Sequence, residues 1–170
     1  ARFAGLVTTP GVAYLTRTGP FVAGVMISAS HNPFRDNGIK VFGHSGYKLP
    51  DQQEHAIEAD IFSLLETGLA PSAATLVEDP GLDQSYLDYL ASTFPHRLGG
   101  LRIVVDCANG AATRLAPALL ARLGAEVRAI HCSPDGRNIN LDCGALHTEA
   151  LVGAVRAEGA SLGVALDGDA

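Results

Sequence analysis

Ile103-Val104-Val105-Asp106-Cys107-Ala108-Asn109-Gly110 decides how the chain is to be read. A short β-branched run breaks into turn-forming residues, which predicts a buried strand ending in a tight loop. The next segment, Arg114 to Leu123, is rich in Ala and Leu and closes on Gly124, a helix with its C-terminal stop. Glu126 to Ile130 reads as the following strand. A further helix, from about Thr148 to Glu158 and ending at Gly159, leads into a strand from Leu162 to Leu166. Strand, helix and strand in repeated alternation mean an α/β layer fold with parallel strands.

Toward the N-terminus the rhythm changes. Leu82, Tyr86, Tyr89, Leu90 and Phe94 fall at helical spacing, preceded by turn and linker chemistry over residues 69–81, with Pro71, Ser72, Pro80 and Gly81. Ile57, Ile61, Leu64 and Leu65 form one apolar stripe of an earlier helix, with Asp51 as its N-cap and Glu54 three residues on. That helix is expected to end by Gly68. Val22 to Ile27 and Ile39 to Phe42 read as strands joined by a polar loop, Ser28 to Gly38, with a turn at Gly43 to Gly46. The Pro10-Gly11 pair predicts a turn or helix start, with a helix from about Val12. The chain has no internal repeat at the level of identities and no low-complexity segment.

Composition excludes several classes of function. With 12 basic against 18 acidic side chains the net charge is −6, which argues against a nucleic-acid or anionic-membrane surface. No apolar run reaches the roughly 18 residues of a membrane span, and no secretory signal opens the chain. The three cysteines, Cys107, Cys132 and Cys143, form no CxxC pair, which favours reduced thiols and a cytoplasmic location. At 170 residues the chain is one domain or pieces of two. It begins at Ala1 and stops directly after Asp167-Gly168-Asp169, so we read it as an internal piece of a longer protein.

Two segments stand out as chemistry. Ser28-Ala29-Ser30-His31-Asn32-Pro33 sits at the expected C-terminal end of a strand, where α/β folds place ligands. A serine there can act as a nucleophile if a base, metal or charge activates it. His31 is adjacent and Lys40 returns on the next strand. The same residues also suit an ordinary loop, and both readings stand. No G-x-S-x-G elbow is present, so an α/β-hydrolase is not supported. Asp167-Gly168-Asp169 follows the apolar Leu162-Gly163-Val164-Ala165-Leu166, and its paired carboxylates suit a hard cation such as Mg²⁺. A plain Asp-Gly turn explains them equally well, while an EF-hand loop would place its Gly elsewhere. Asp106-Cys107-Ala108-Asn109-Gly110 either shapes a crevice or is a tight strand-to-helix turn. Asn138-Ile139-Asn140 reads as loop, and Cys107 as a small core residue.

Together these segments resemble a known family. Gly24 to Pro33, then Asp36-Asn37-Gly38-Ile39-Lys40-Val41-Phe42 and Gly46-Tyr47-Lys48-Leu49, are similar to the phosphoserine loop of the α-D-phosphohexomutases. Thr9-Pro10-Gly11-Val12-Ala13-Tyr14-Leu15-Thr16-Arg17, Val104 to Gly110, Asn138 to Asn140 and Leu166 to Ala170 extend the resemblance in family order. The Asp-Asn-Gly-Ile-Lys continuation and the Gly-x-Lys-Leu are closest to the branch acting on glucosamine phosphates. Gly144-Ala145-Leu146-His147 departs from the pattern, which usually carries a small residue and Thr there.

The resemblance implies an α/β fold with mixed sheets sandwiched between helices. Residues 1–75 would be the C-terminal part of domain one and residues 76–170 most of domain two, ending inside the metal loop of a four-domain enzyme. It implies a phosphoryl group on Ser30, delivered to one end of a hexosamine phosphate and recovered from the other end of the bisphosphate. His31 would position the phosphoserine, Lys40 would act on the reacting oxygens as acid/base or electrostatic partner, and Ser28 would be a secondary phosphate acceptor. Mg²⁺ would be held by Ser30, Asp167, Asp169 and a third Asp beyond Ala170. The partners implied are the sugar phosphate and the remaining domains, with neither nucleic acid nor membrane. The alternatives are a family member acting on mannose or glucose phosphates, and a haloacid-dehalogenase-type phosphatase with Asp167 as nucleophile. The isolated chain, lacking half of its cleft, is expected to be inactive, and bare apolar surface is expected to pair copies into a homodimer.

Overall fold

The computed structural model describes residues 1–69, 72 and 75–170. Within the linker expected over residues 69–81, positions 70, 71, 73 and 74 lie outside the described residues, Pro71 among them.

Helix α1 (Thr9–Thr18) starts earlier than the sequence reading placed it. The Thr8 side chain accepts a hydrogen bond from Gly11 N–H at 3.2 Å, and Pro10 presets φ in the first turn. A capping threonine thus turns what reads as a Pro-Gly turn into helix. One face of α1 packs on an antiparallel hairpin, β2 (Ala23–Ser28) and β3 (Gly38–Gly43), in which Ala23 pairs with Gly43 and Ser28 with Gly38. Alternation along the hairpin sends Met26 and Phe42 inward. The opposite face, Val25, Ile27 and Ile39, is 62%, 70% and 68% exposed.

Helix α2 (Asp51–Glu66) departs from the reading in two ways. Pro50, not Asp51, is its N-cap, and no side chain caps it. Pro50 sits in extended backbone and its carbonyl accepts from Gln53 and Glu54, so Asp51 and Glu54 serve the first turn through the helix dipole instead. The apolar stripe exists, but no α2 residue is buried, because none of the described elements covers it.

Part of the expected linker is ordered structure. Val77–Glu78 forms β4, paired in parallel with β1 (Arg2–Phe3), and Asp79 caps α3 (Pro80–Thr93) by accepting from Gly81 N–H. The second half then follows the reading closely. Strand β5 (Arg102–Asp106) is the centre of a three-stranded parallel sheet, between β6 (Glu126–Ile130) and β7 (Leu162–Ala165). Helices α4 (Leu115–Arg122) and α5 (Glu149–Glu158) provide the crossovers, and Gly159 ends α5 in the left-handed conformation. The result is an α/β fold of small parallel and antiparallel sheets among helices.

Two packed clusters join the halves. Val7 and Leu15 meet Tyr86 of α3 and Leu115 of α4, and Tyr14 stacks on Tyr89 with ring centroids 4.1 Å apart. Met26 and Phe42 meet Ala111, directly after the β5 loop. This seam sets the Ser28–Gly38 loop against the ends of β5 and β7.

Burial predicts unequal sensitivity. Val104 is fully buried in the central strand, so Val104→Ala should cost about 2 kcal/mol in denaturant unfolding. Ile61→Ala, on the uncovered face of α2, should stay within about 0.5 kcal/mol in the same 170-residue chain.

Candidate functional site

Parallel pairing brings the ends of β5 and β7 side by side, with Asp106 opposite Ala165. The loop that continues β7 is then held by its backbone on two sides. The Gly168 carbonyl accepts from Ala111 N–H at 2.8 Å, and the Asp169 carbonyl accepts from Thr9 N–H at 3.1 Å. Gly168 is pressed against the other half of the chain. A Cβ there would lie 2.3 Å from the Ser30 carbonyl oxygen, so only glycine fits.

The opposing loop carries Ser30 in the left-handed region, φ 53°, which a non-glycine residue adopts only under constraint. Its N–H donates to Ser28 Oγ at 2.9 Å. Its hydroxyl lies 3.2 Å from Asp167 Oδ2 and 3.2 Å from Asp169 Oδ1. One hydroxyl proton cannot serve both carboxylates at once. Lys40 Nζ pairs with Asp169 Oδ2 and lies 3.5 Å from Thr9 Oγ1, which itself donates to Asp169 Oδ2 at 2.9 Å. Burial opposes the charge on Asp169. Hydrogen bonds from Lys40 and Thr9, together with the Lys40 charge, override that penalty and hold the carboxyl at about 2.

This donor set suits a hard divalent cation. One oxygen of Asp167 and one of Asp169 each lie 3.2 Å from Ser30 Oγ. Adjacent ligands of an octahedral Mg²⁺ lie about 3.0 Å apart when each bond is about 2.1 Å. A cation there would also relieve the unshared contact between the hydroxyl and its second carboxylate.

The structure gathers Ser30, Lys40, Asp167 and Asp169 into one cluster, with Ser28 behind it. His31 is different: it is exposed, and its ring makes no hydrogen bond among the described residues. Two contributors escaped the sequence reading. Thr9 bridges Lys40 and Asp169 from the first turn of α1. Asn140, in the segment read as plain loop, donates from Nδ2 to the carbonyls of Ser30 at 2.7 Å and Asn32 at 2.9 Å. The available signal was that both residues fall in segments resembling the family, although neither bears an obviously catalytic group.

A second cluster lies under the crevice. Asp106, fully buried, accepts from Ala108 N–H at 2.9 Å, Gly144 N–H at 3.1 Å and His131 Nδ1 at 2.9 Å. Cys143 Sγ lies within 4.8 Å of the ligand atoms of both side chains. With its oxygens occupied by donors, Asp106 ties three loops together at the strand ends.

Comparison with known proteins follows the same division of the chain. Residues 1–67 match the phosphoglucomutase/phosphomannomutase alpha/beta/alpha domain I, and residues 84–170 match alpha/beta/alpha domain II. The chain belongs to the phosphoglucomutase/phosphomannomutase family. A phosphoglucosamine mutase from Solibacter usitatus is 61% identical over 169 residues, which are 99% of this chain and 38% of that protein. A phosphoglucomutase/phosphomannomutase family protein from Burkholderia thailandensis shares the fold at a TM-score of 0.76 and 22% identity, covering 99% of this chain and 38% of its own. The Aspergillus fumigatus N-acetylphosphoglucosamine mutase, solved with GlcNAc-6P and magnesium, superposes with a TM-score of 0.50 at 18% identity over 97% of this chain and 46% of its own. The chain therefore spans 38% of the length of the Solibacter usitatus relative and less than half of each solved structure named here. No helix among the described residues is long and apolar enough to cross a membrane.

Burial sets the reactivity of the thiols. It pushes Cys107 up to about 12, helped by Cys132 and Asp106, and Cys143 up to about 11, helped by Asp106 and Asp142. In the folded protein at neutral pH, iodoacetamide should label Cys132, the partly exposed thiol, well before the other two. Peptide mapping by mass spectrometry after a short pulse reads the order directly.

Proposed function

We propose that the whole protein is a phosphoglucosamine mutase, interconverting glucosamine 6-phosphate and glucosamine 1-phosphate through a phosphoserine at Ser30 and a hexosamine bisphosphate. The observation that carries this reading is the convergence of Ser30 Oγ on Asp167 and Asp169 beside the Lys40 ammonium. The 61% identity to a phosphoglucosamine mutase favours glucosamine over mannose or glucose phosphates. The aspartyl-phosphatase alternative is not favoured, since both halves of the chain match mutase domains.

Phosphoryl transfer asks for alignment and charge neutralisation more than for covalent chemistry. Ser30, Asp167 and Asp169 would hold Mg²⁺, which neutralises phosphoryl charge when bound. Ser30 Oγ gives up its phosphorus–oxygen bond as a sugar hydroxyl oxygen forms one, and the hydroxyl proton passes to a base. Lys40, held by Asp169 and Thr9, presents a cation to the oxygens that gain charge and is our candidate for acid/base exchange there. Return of a phosphoryl group from the other end of the bisphosphate restores Ser30. His31, at the exposed rim of the loop, is assigned to contact with the phosphoryl oxygens once they are in place.

Residues 1–75 and 76–170 are assigned to domains one and two of the longer enzyme, which works in the cytoplasm. The remaining domains complete the cleft, so the 170-residue chain alone is expected to lack turnover. Its uncovered apolar faces, including Ile27, Ile39, Phe62 and Leu65, are where a second copy would pair.

Phosphopeptide mapping of the full-length protein tests the reading. Ser30→Ala should remove the phosphate from its peptide and lower mutase activity by at least about 10³-fold. Mg²⁺-dependent phosphatase activity that survives Ser30→Ala and disappears in Asp167→Ala would instead identify an aspartyl nucleophile.

A further inference from the structure

A nucleophile that must be equally competent with and without its phosphoryl group needs a backbone that does not follow the group when it leaves. Ser30 does not hold its own backbone in place. Its φ of 53° is outside the usual range for serine, and its N–H is satisfied only by the nearby Ser28 hydroxyl. Its carbonyl points away from the hairpin toward the other half of the chain. There a single side chain meets it. Asn140 Nδ2 donates to the Ser30 carbonyl at 2.7 Å and to the Asn32 carbonyl at 2.9 Å. Both partners are acceptors only, so the amide must face them with its NH₂ and both of its protons are engaged.

Asn140 is itself fixed. It too is left-handed, at φ 58°, and its own N–H donates to the Ala108 carbonyl at 2.9 Å, in the loop that follows β5. Its amide also lies against Gly168, where a Cβ would sit 2.9 Å from both amide heavy atoms. A chain of contacts thus runs from the β5 loop through Asn140 to the two carbonyls that bracket His31. Asn140 makes no hydrogen bond to Ser30 Oγ, Asp167, Asp169 or Lys40 among the described residues.

We propose that Asn140 is a positioning residue for phosphoryl transfer at Ser30, an assignment that rests on the mutase reading above. By drawing two carbonyls onto one nitrogen it fixes the curvature of the serine loop, together with the loop's own bond from Asn32 N–H to the Ala29 carbonyl at 2.9 Å. Motion of the nucleophile is then left to the Ser30 side chain alone. Without it the loop relaxes toward ordinary backbone angles, and Ser30 Oγ moves off the line between the phosphorus and the sugar oxygen. Misplacement by about 1 Å costs on the order of 10²-fold in rate. Sugar binding, built by other parts of the cleft, is untouched.

The test uses the full-length enzyme with two variants. Asn140→Asp keeps the shape of the side chain and removes both donors. Asn140→Gly removes the side chain but accepts a positive φ without strain, so backbone cost at this position is not confused with loss of the amide. The expected result is a fall in kcat of about 10- to 100-fold in both, with KM for the sugar phosphate within about twofold of wild type and little change in Tm. Wild-type kcat in both variants, with Ser30 phosphorylated normally, would overturn the proposal alone. So would a loss of kcat that tracks a fall in Tm and recovers on cooling, which marks a merely structural residue. A wild-type enzyme that never carries phosphate on Ser30 would overturn the mutase reading and the proposal with it.

Discussion

Two carboxylates face one serine hydroxyl, and much of this region is arranged to make that juxtaposition tolerable. Asp169 is buried and Asp167 is close by, so their charges would repel strongly in a partly desolvated crevice. The Lys40 ammonium offsets one of them, and the Thr9 hydroxyl and the Ser30 hydroxyl supply hydrogen bonds. A bound divalent cation would complete the neutralisation with the oxygen donors already in place. Thr9, Ser30 and Lys40 come from the first half of the chain and the two aspartates from the end of the second. The seam between the halves, packed by Met26, Phe42 and Ala111 on one side and Tyr14, Tyr86 and Tyr89 on another, brings them together.

Backbone groups bear most of the burden of alignment. The loop after β7 is held by carbonyls of Gly168 and Asp169, the serine loop by carbonyls of Ser30 and Asn32, and the end of β5 by the Asp106 carboxylate, which accepts from His131 and Gly144. In each case a donor from a distant part of the chain satisfies a group that a loop would otherwise leave to water. Left-handed residues cluster here, and Ser30, Ala108, Asn109, His131 and Asn140 each take part in such bonds.

Periodicity and turn chemistry made the second half legible in sequence. Alternating strand and helix patterns with Gly124 and Gly159 as stops placed β5, α4, β6, α5 and β7 to within a residue or two. The members of the cluster around Ser30 were legible for a different reason, since Ser30, Lys40, Asp167 and Asp169 belong to types that stand out and segments that resemble the family. Three things were not legible. The Thr8 cap extended α1 across a Pro-Gly pair, because capping depends on side-chain rotation that a pattern does not show. The apolar stripe of α2 marked a face that needs covering, yet periodicity cannot say which segment covers it. Asn140 looked like loop chemistry, because its role lies in hydrogen bonds to residues more than a hundred positions away.

The central claim is that Ser30 and the Asp167–Asp169 loop form one site that takes both a phosphoryl group and a divalent cation. Phosphorus NMR of the phosphorylated full-length protein tests it most directly, with paramagnetic Mn²⁺ added in place of Mg²⁺. The account predicts that the phosphoserine signal, absent in Ser30→Ala, broadens beyond detection at about one equivalent of Mn²⁺. A phosphoserine signal that stays sharp while Mn²⁺ is bound elsewhere on the protein would contradict it.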